Sequence, residues 1–316
     1  MTNPAMYVEE GTLHFNGRAI DPAHYDPNNF TLSAYQAQLT ALCRAGYHAV
    51  QYDEEHDKDK TFILRHDVFF SPSHALKIAE IEKELGLKST FFFDYKNDFY
   101  TLEDEEVSRA IAKIKEMGHN IGLHITPKNE AGELLVDGAL IEHTQNCKNL
   151  FEASVGHEVS CVSFDVIELS KIGKVPAEKR VAVMVNVYGH LFADGISRSK
   201  GQAGNSNGLH LYGQSIEDHI GAGTEHLHLA VIPEWLSEVP MLPYNRLKTL
   251  PEVQKKTEAL DALLDTVQKG GRCYAGDGHF PDVDQKFDDV MRKNPAYALN
   301  EVPHHPCGVV FAPNIA

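Results

Sequence analysis

A chain of 316 residues with 42% hydrophobic and 23% charged side chains has the make-up of a folded protein, large enough for one big domain or two smaller ones. Its formal net charge of −16 speaks against nucleic acid and anionic membranes as partners, since both recruit a basic patch. No stretch nears the ~20 apolar residues of a membrane helix, and Met1–Asn16 lacks a basic segment followed by an apolar run, so the expectation is a cytoplasmic protein without a membrane span.

In chain order, residues 1–29 read as an N-terminal extension with one short hairpin, Tyr7-Val8 against Leu13-His14-Phe15. Thr31 or Ser33 caps a helix over Ala34–Arg44, which Gly46 ends. Ala49–Tyr52 is a short strand and Glu54–Lys60 a charged loop. Thr61–Phe93 then reads as strand, polar strand end, helix, strand. The apolar run Phe62–Leu64 stops at Arg65-His66-Asp67, Ser71-Pro72-Ser73 starts a helix closed by Gly86, and Thr90–Phe93 is the second strand. A helix from Thr101 or Asp104 carries Val107, Ala110, Ile111, Ile114 and Met117 at helical spacing and closes at Gly118. The strand Asn120–Leu123 runs into His124, a helix fits Leu140–Ala153, and Val159–Phe164 runs into Asp165. Val181–Val187 reads as one strand ending at Tyr188, and Ser197–Gly208 as a loop. His226–Ile232 is a strand followed by Pro233-Glu234-Trp235, Glu252–Gln268 is an amphipathic helix, and Arg272–Ala316 is loop-rich.

Strands and helices alternate, and polar residues fall where strands end: Asp67, Asp94, His124, Asp165, Tyr188 and Glu234. That pattern suits a (β/α) barrel or an open parallel sheet with its loops gathered over one face, where ligands bind. Arg65-His66-Asp67 is the first candidate site: Asp67 is a general base or a metal carboxylate, or else one half of a buried Asp–Arg pair that holds the strand end. His124 stands at a neighbouring strand end, as a metal ligand or a structural histidine. His226 and His228 share one face of a strand by period two and read as a site or as satisfied core groups. Asp277-Gly-His279 and His304-His305-Pro306-Cys307 read as a surface loop or a lid. Calcium-loop, phosphate-loop and Gly-x-Ser-x-Gly patterns are all missing, and the five cysteines are scattered without a Cys-x-x-Cys pair, as free thiols would be.

Taken together in this order, Leu64-Arg-His-Asp-Val68 with Ser71-Pro72, Leu85–Phe93, Phe99-Tyr100, Gly118-His-Asn-Ile-Gly-Leu-His124, Leu150-Phe-Glu152, Val162-Ser-Phe164 and Ile232-Pro-Glu-Trp235 resemble the polysaccharide deacetylase superfamily (NodB homology, carbohydrate esterase family 4). The resemblance is to the bacterial branch whose first motif reads Arg-His-Asp-Val-Asp, and it spans Phe30–Trp235. It implies a distorted (β/α) barrel and the hydrolysis of N-acetyl groups on sugars, with a divalent metal, usually zinc, polarising the carbonyl. Residue by residue it makes Asp67 the base and His124 a metal ligand. Three positions depart: Phe69 stands where the branch has a second Asp, Asp165 where it has a His, and Ile232 where it has the His before Pro-Glu-Trp. Phenylalanine and isoleucine neither bind metal nor carry protons.

The expectation is therefore an α/β chain with a distorted (β/α) barrel of the polysaccharide deacetylase type over residues 30–271 and a C-terminal segment, 272–316, packing on it. The expected function is metal-dependent removal of N-acetyl groups from a sugar. The alternatives are a degenerate relative that binds a carbohydrate or a protein without turnover, and an amide hydrolase acting on another small molecule. Asp67 and Asp165 are the expected catalytic residues, and Asp67, His124 and Asp165 the expected zinc ligands if Asp165 replaces the histidine. Arg65, His66, Tyr188, Glu234 and Trp235 are expected to contact a carbohydrate or small-molecule substrate.

Overall fold

A computed structural model describes residues 27–52, 54, 60–165, 169, 172–189, 216–241, 246 and 249–255, with the strand segments 6–9, 12–15, 18–19 and 203–206. The expected C-terminal segment 272–316, and the helix Glu252–Gln268 beyond residue 255, lie outside the described residues. Strands β1 (Met6–Glu9), β2 (Thr12–Phe15) and β3 (Arg18–Ala19) form a small antiparallel meander, with Tyr7 opposite His14 and Val8 opposite Leu13.

The main chain of events is β/α alternation. Helix α1 (Leu32–Arg44) starts where Thr31 Oγ1 accepts the Ala34 N–H at 3.1 Å. Strand β4 (His48–Ala49) is shorter than its apolar run suggests and leads to β5 (Thr61–Val68). Helix α2 (Pro72–Glu84) has Ser71 as N-cap and proline in its first turn, the two start signals in the sequence. Next come β6 (Thr90–Asp94), α3 (Glu105–Glu116, capped by Asp104), β7 (Asn120–Ile125), α4 (Asp137–Val155, ended by Gly156 at φ 75°) and β8 (Cys161–Phe164). The remaining elements are β9 (Arg180–Val181), β10 (Met184–Asn186), β11 (Ala203–Ser206), the short helix α5 (Ile216–Gly221) and β12 (His226–Val231).

The strands make one nine-stranded sheet in the order β11-β12-β5-β6-β7-β8-β10-β9, with β4 also on β5. Every pairing is parallel except the β9–β10 hairpin. One face carries Phe62, Leu64, Phe91, Phe93, Ile121 and Leu123 under the apolar sides of α1 to α4. The other face carries its own small core of Tyr52, Ile63, Phe92, Cys161, Val185 and Val187.

That second core requires a curled sheet. Arg65 on β5 and Tyr188 just past β10 are four strand spacings apart, roughly 19 Å in a flat sheet, yet their side chains hydrogen-bond at 2.8 Å. The α/β architecture with a parallel sheet is as expected, while no pairing closes β9 onto β11 among the described residues. No described helix is long and apolar enough to cross a membrane.

Two local expectations are corrected. The segment read as a loop, 197–208, contains β11, whose backbone pairs with β12 although Ala-Gly-Asn-Ser carries no apolar signal. The run read as one strand, Val181–Val187, is a tight hairpin turning at Ala182 (φ 47°) and Val183 (φ 63°). Two successive positive φ values call for Asn-Gly chemistry, and a β-branched residue is strained there. Val183 is 72% exposed, so packing does not dictate its identity. Ala182→Asn with Val183→Gly is expected to stabilise the protein by about 1–2 kcal/mol, read from urea unfolding. An unchanged midpoint would show the hairpin to be unstrained.

Candidate active site at the carboxyl ends of the strands

Alternation along β5 decides which members of the Arg-His-Asp triplet share a face. Arg65 and Asp67 project to the inner face and His66 to the outer one. His66 is fully buried, bonds Glu82 through Nε2 at 2.6 Å and stacks on Phe91 with ring centroids 4.3 Å apart. The expectation that His66 touches substrate is thus corrected: it is enclosed between Glu82 and Phe91, on the face opposite Arg65 and Asp67.

On the inner face, register aligns the ends of successive strands. Asp94 at the end of β6 lies opposite His124 on β7, and His124 lies opposite Ser163 on β8. Gly122 on β7 allows this packing, because a Cβ there would run into the Phe92 ring. The Asp165 N–H donates to the Ile125 carbonyl at 2.9 Å, which continues the ladder one step past β8.

Arg65 and Asp67 form a two-point ion pair, with Arg65 Nε 2.9 Å from Oδ1 and Nη2 2.7 Å from Oδ2. Arg65 Nη2 also donates to the Tyr188 hydroxyl at 2.8 Å, and the guanidinium lies 5.0 Å from the Tyr188 ring centre and 5.5 Å from that of Phe92. Burial opposes charge on Arg65, but Asp67 and the two tyrosines Tyr188 and Tyr52 outweigh it and hold the guanidinium charged. Burial raises the Tyr188 hydroxyl, which stays a phenol. The Asp67 side chain keeps 13% exposure, enough to meet a water or a substrate atom.

His124 is nearly as enclosed as Arg65. Its Nδ1 lies 2.6 Å from Ser163 Oγ and 3.9 Å from Asp67 Oδ1. A proton on Nδ1 suits both oxygens and leaves the lone pair on Nε2, an atom that is buried without a hydrogen-bond partner. The Phe69 ring stands edge-on to the imidazole, 5.3 Å between centroids. Burial, aided by Arg65 and opposed by Asp67, pushes the imidazole down to about 4.

That shift has a definite sign. Between the free value of 6.5 and about 4 the unfolded chain binds a proton that folded His124 refuses, so its contribution is complete above pH 6.5 and is lost as pH falls towards 4. His74, pushed to about 4 chiefly by burial, acts in the same sense, and Glu234, raised to about 7, acts in the opposite one. The advantage of wild type over His124→Gln is expected to shrink by about 3 kcal/mol between neutral pH and pH 4, measured by urea unfolding across pH. Parallel curves for the two proteins would contradict the assignment.

Asp94 completes the constellation and was passed over in the sequence, where it shows only as one polar strand end among several. It is 8% exposed, and Asn97 Nδ2 donates to its Oδ2 at 2.9 Å. Burial is the main cause that raises its carboxyl well above the usual range, and Asp67, Asp165 and Asp98 add to it. Burial thus favours the protonated form of Asp94 near a paired carboxylate, a separation of roles that recurs in hydrolytic sites.

Two more expected contacts fall elsewhere. Glu234 and Trp235 lie in a short turn after β12 and are 0% and 4% exposed. Glu234 spends one oxygen on the backbone N–H groups of residues 69–71, and the other is buried without a hydrogen-bond partner. Two features bear on the expected three-ligand divalent ion. Both oxygens of Asp67 are held by Arg65, and the nitrogen of His124 that faces Asp67 is Nδ1 rather than the open Nε2. Among the described residues no group of three His, Cys, Asp or Glu is placed to hold an ion.

No protein-family model matches the chain, and no curated protein does. Among solved structures it is similar to the peptidoglycan deacetylase PdaC from Bacillus subtilis, at 14% identity and a TM-score of 0.30, over 67% of this chain and 98% of that one. A mutant of the same enzyme matches at 12% identity and a TM-score of 0.29, over 68% and 99% of the two chains. A likeness this distant does not identify an activity.

Proposed function

We propose that the cleft hydrolyses the C–N bond of an N-acylated substrate, with N-acetylated carbohydrate as the class, and that the curled sheet is a distorted (β/α) barrel of the deacetylase type. The substrate class rests on the motifs quoted from the sequence. The chemistry rests on one observation: at adjoining strand ends the Arg65-paired carboxylate of Asp67, the enclosed imidazole of His124 and the buried carboxyl of Asp94, on which burial favours the proton, stand together.

Asp67, oriented by Arg65, takes a proton from water as the oxygen bonds to the acyl carbon. His124, its Nδ1 held by Ser163 Oγ, stands 3.9 Å from Asp67 Oδ1 and borders the reacting group. As the C–N bond breaks, Asp94 gives its proton to the leaving nitrogen, and proton exchange between the two carboxyls restores the start. The products are a carboxylic acid and an amine. No step in this scheme is routed through a metal.

A second reading, binding of a carbohydrate without turnover, is favoured by Phe69 and Ile232 at positions where the resembling branch has an Asp and a His. Acetate release from N-acetylglucosamine oligomers by the full chain separates the two. The expected result is release that EDTA does not change. Binding of the oligomers with no acetate would leave the second reading standing.

A further inference from the structure

Glu234 is fully buried in the turn Pro233–Trp235, which follows β12, the strand paired with β5. One oxygen, Oε1, accepts the N–H groups of Phe69 at 3.1 Å, Phe70 at 2.8 Å and Ser71 at 2.9 Å. Those three donors form the bend between β5 and α2, at the positive end of a thirteen-residue helix whose first N–H groups have no partner inside it.

The bend in turn holds the cleft. The Phe69 carbonyl accepts from Asn97 Nδ2 at 3.0 Å, and the same amide donates to Asp94 Oδ2 at 2.9 Å. The Phe69 ring closes over His124. Asp67 lies two residues upstream of the first N–H that Glu234 takes.

We propose that Glu234 is a positioning residue of the cleft: by fixing the bend at residues 69–71 it places the Phe69 ring on His124 and the Asn97 amide on Asp94. The effect on turnover rests on the hydrolase reading; the effect on the bend does not. What matters is an acceptor oxygen at that point rather than a charge. In keeping with this, burial pushes the Glu234 carboxyl up to about 7 against the pull of the backbone donors.

Three variants of the full chain test this by hydrogen–deuterium exchange and by acetate release. Glu234→Gln keeps the acceptor and removes the charge. Glu234→Asp keeps the charge and withdraws the oxygen by one methylene. Glu234→Ala removes both. Exchange at 69–71 is expected to quicken about tenfold or more in the Ala and Asp variants, as loss of these bonds implies, with β7 unchanged and the Gln variant like wild type. The displaced groups should lower kcat by about a hundredfold with little change in KM, again restored by Gln. Should the Ala variant not fold, the Gln and Asp variants alone decide. Equal exchange at 69–71 in wild type and Asp, or a Gln variant as impaired as Asp, overturns the proposal. A wild type that releases no acetate would refute the hydrolase reading, and the exchange data would still decide the role of Glu234.

Discussion

Glu82→Ala is expected to cost about 3–5 kcal/mol of stability, a large share of the roughly 5–15 kcal/mol a domain has. The reason lies on the outer face of the sheet, away from the cleft. Glu82 on α2 is 0% exposed and gathers four side chains from α1, β5 and the loops leading into β6 and β7. The Tyr35 hydroxyl from α1 and His66 Nε2 from β5, the latter at 2.6 Å, share its Oε1. The Ser89 hydroxyl donates to Oε2 at 2.6 Å, and His119 Nδ1 stands 3.6 Å away. Burial raises the Glu82 carboxyl, but His66 outweighs it, with His119 and Ser89, and the group is held below the ordinary carboxylate range. Alanine would strand Tyr35, His66 and Ser89 with no water to replace the acceptor. Urea unfolding measures the loss, and Tyr35→Phe, which removes one bond of the knot, is expected to cost only about 1 kcal/mol. A Glu82→Ala protein within about 1 kcal/mol of wild type would show that the knot is not a keystone.

Asp67→Asn should abolish hydrolysis and also weaken the fold, and the two effects can be separated. Asparagine keeps the shape but takes no proton, so acetate release should fall by about 10²–10⁴-fold. It also leaves Arg65, 3% exposed, without its counter-charge, at a cost of about 3–5 kcal/mol. Arg65→Met removes the stranded charge while filling the same apolar sleeve between Phe92 and Tyr188. The double variant Arg65→Met, Asp67→Asn is therefore expected to regain much of the lost stability, a coupling read from a double-mutant cycle, and to stay inactive. If the double variant recovered activity with stability, Asp67 would be a structural half of a salt bridge and no base.

What could be read beforehand follows from the range of each signal. Helix caps and strand ends are local, and Thr31, Ser71, Pro72, Asp104 and Gly156 stand where the sequence puts them. The cleft was visible as polar residues at strand ends, which is a property of single strands. The facing of Arg65 and Asp67 away from His66 was also within reach of period two, and adjacency in the triplet obscured it. Asp94 stood among the strand ends without a motif to raise it above the others. The carboxylate of Glu234 gives no local sign of its use, since its partners lie more than 160 residues away in the chain. The hairpin at Ala182-Val183 was hidden for a different reason: the turn is made by an alanine and a valine, neither of them a turn residue, so no breaker marks it.

The central claim is that the enclosed group at the strand ends breaks a C–N bond with Asp67 as its base. The measurement that bears on it most directly is acetate release from N-acetylglucosamine oligomers by wild type and by Arg65→Met, Asp67→Asn, side by side and with both proteins shown to be folded. Wild type is expected to release acetate, and the double variant none above background. Equal release by the two proteins would contradict it.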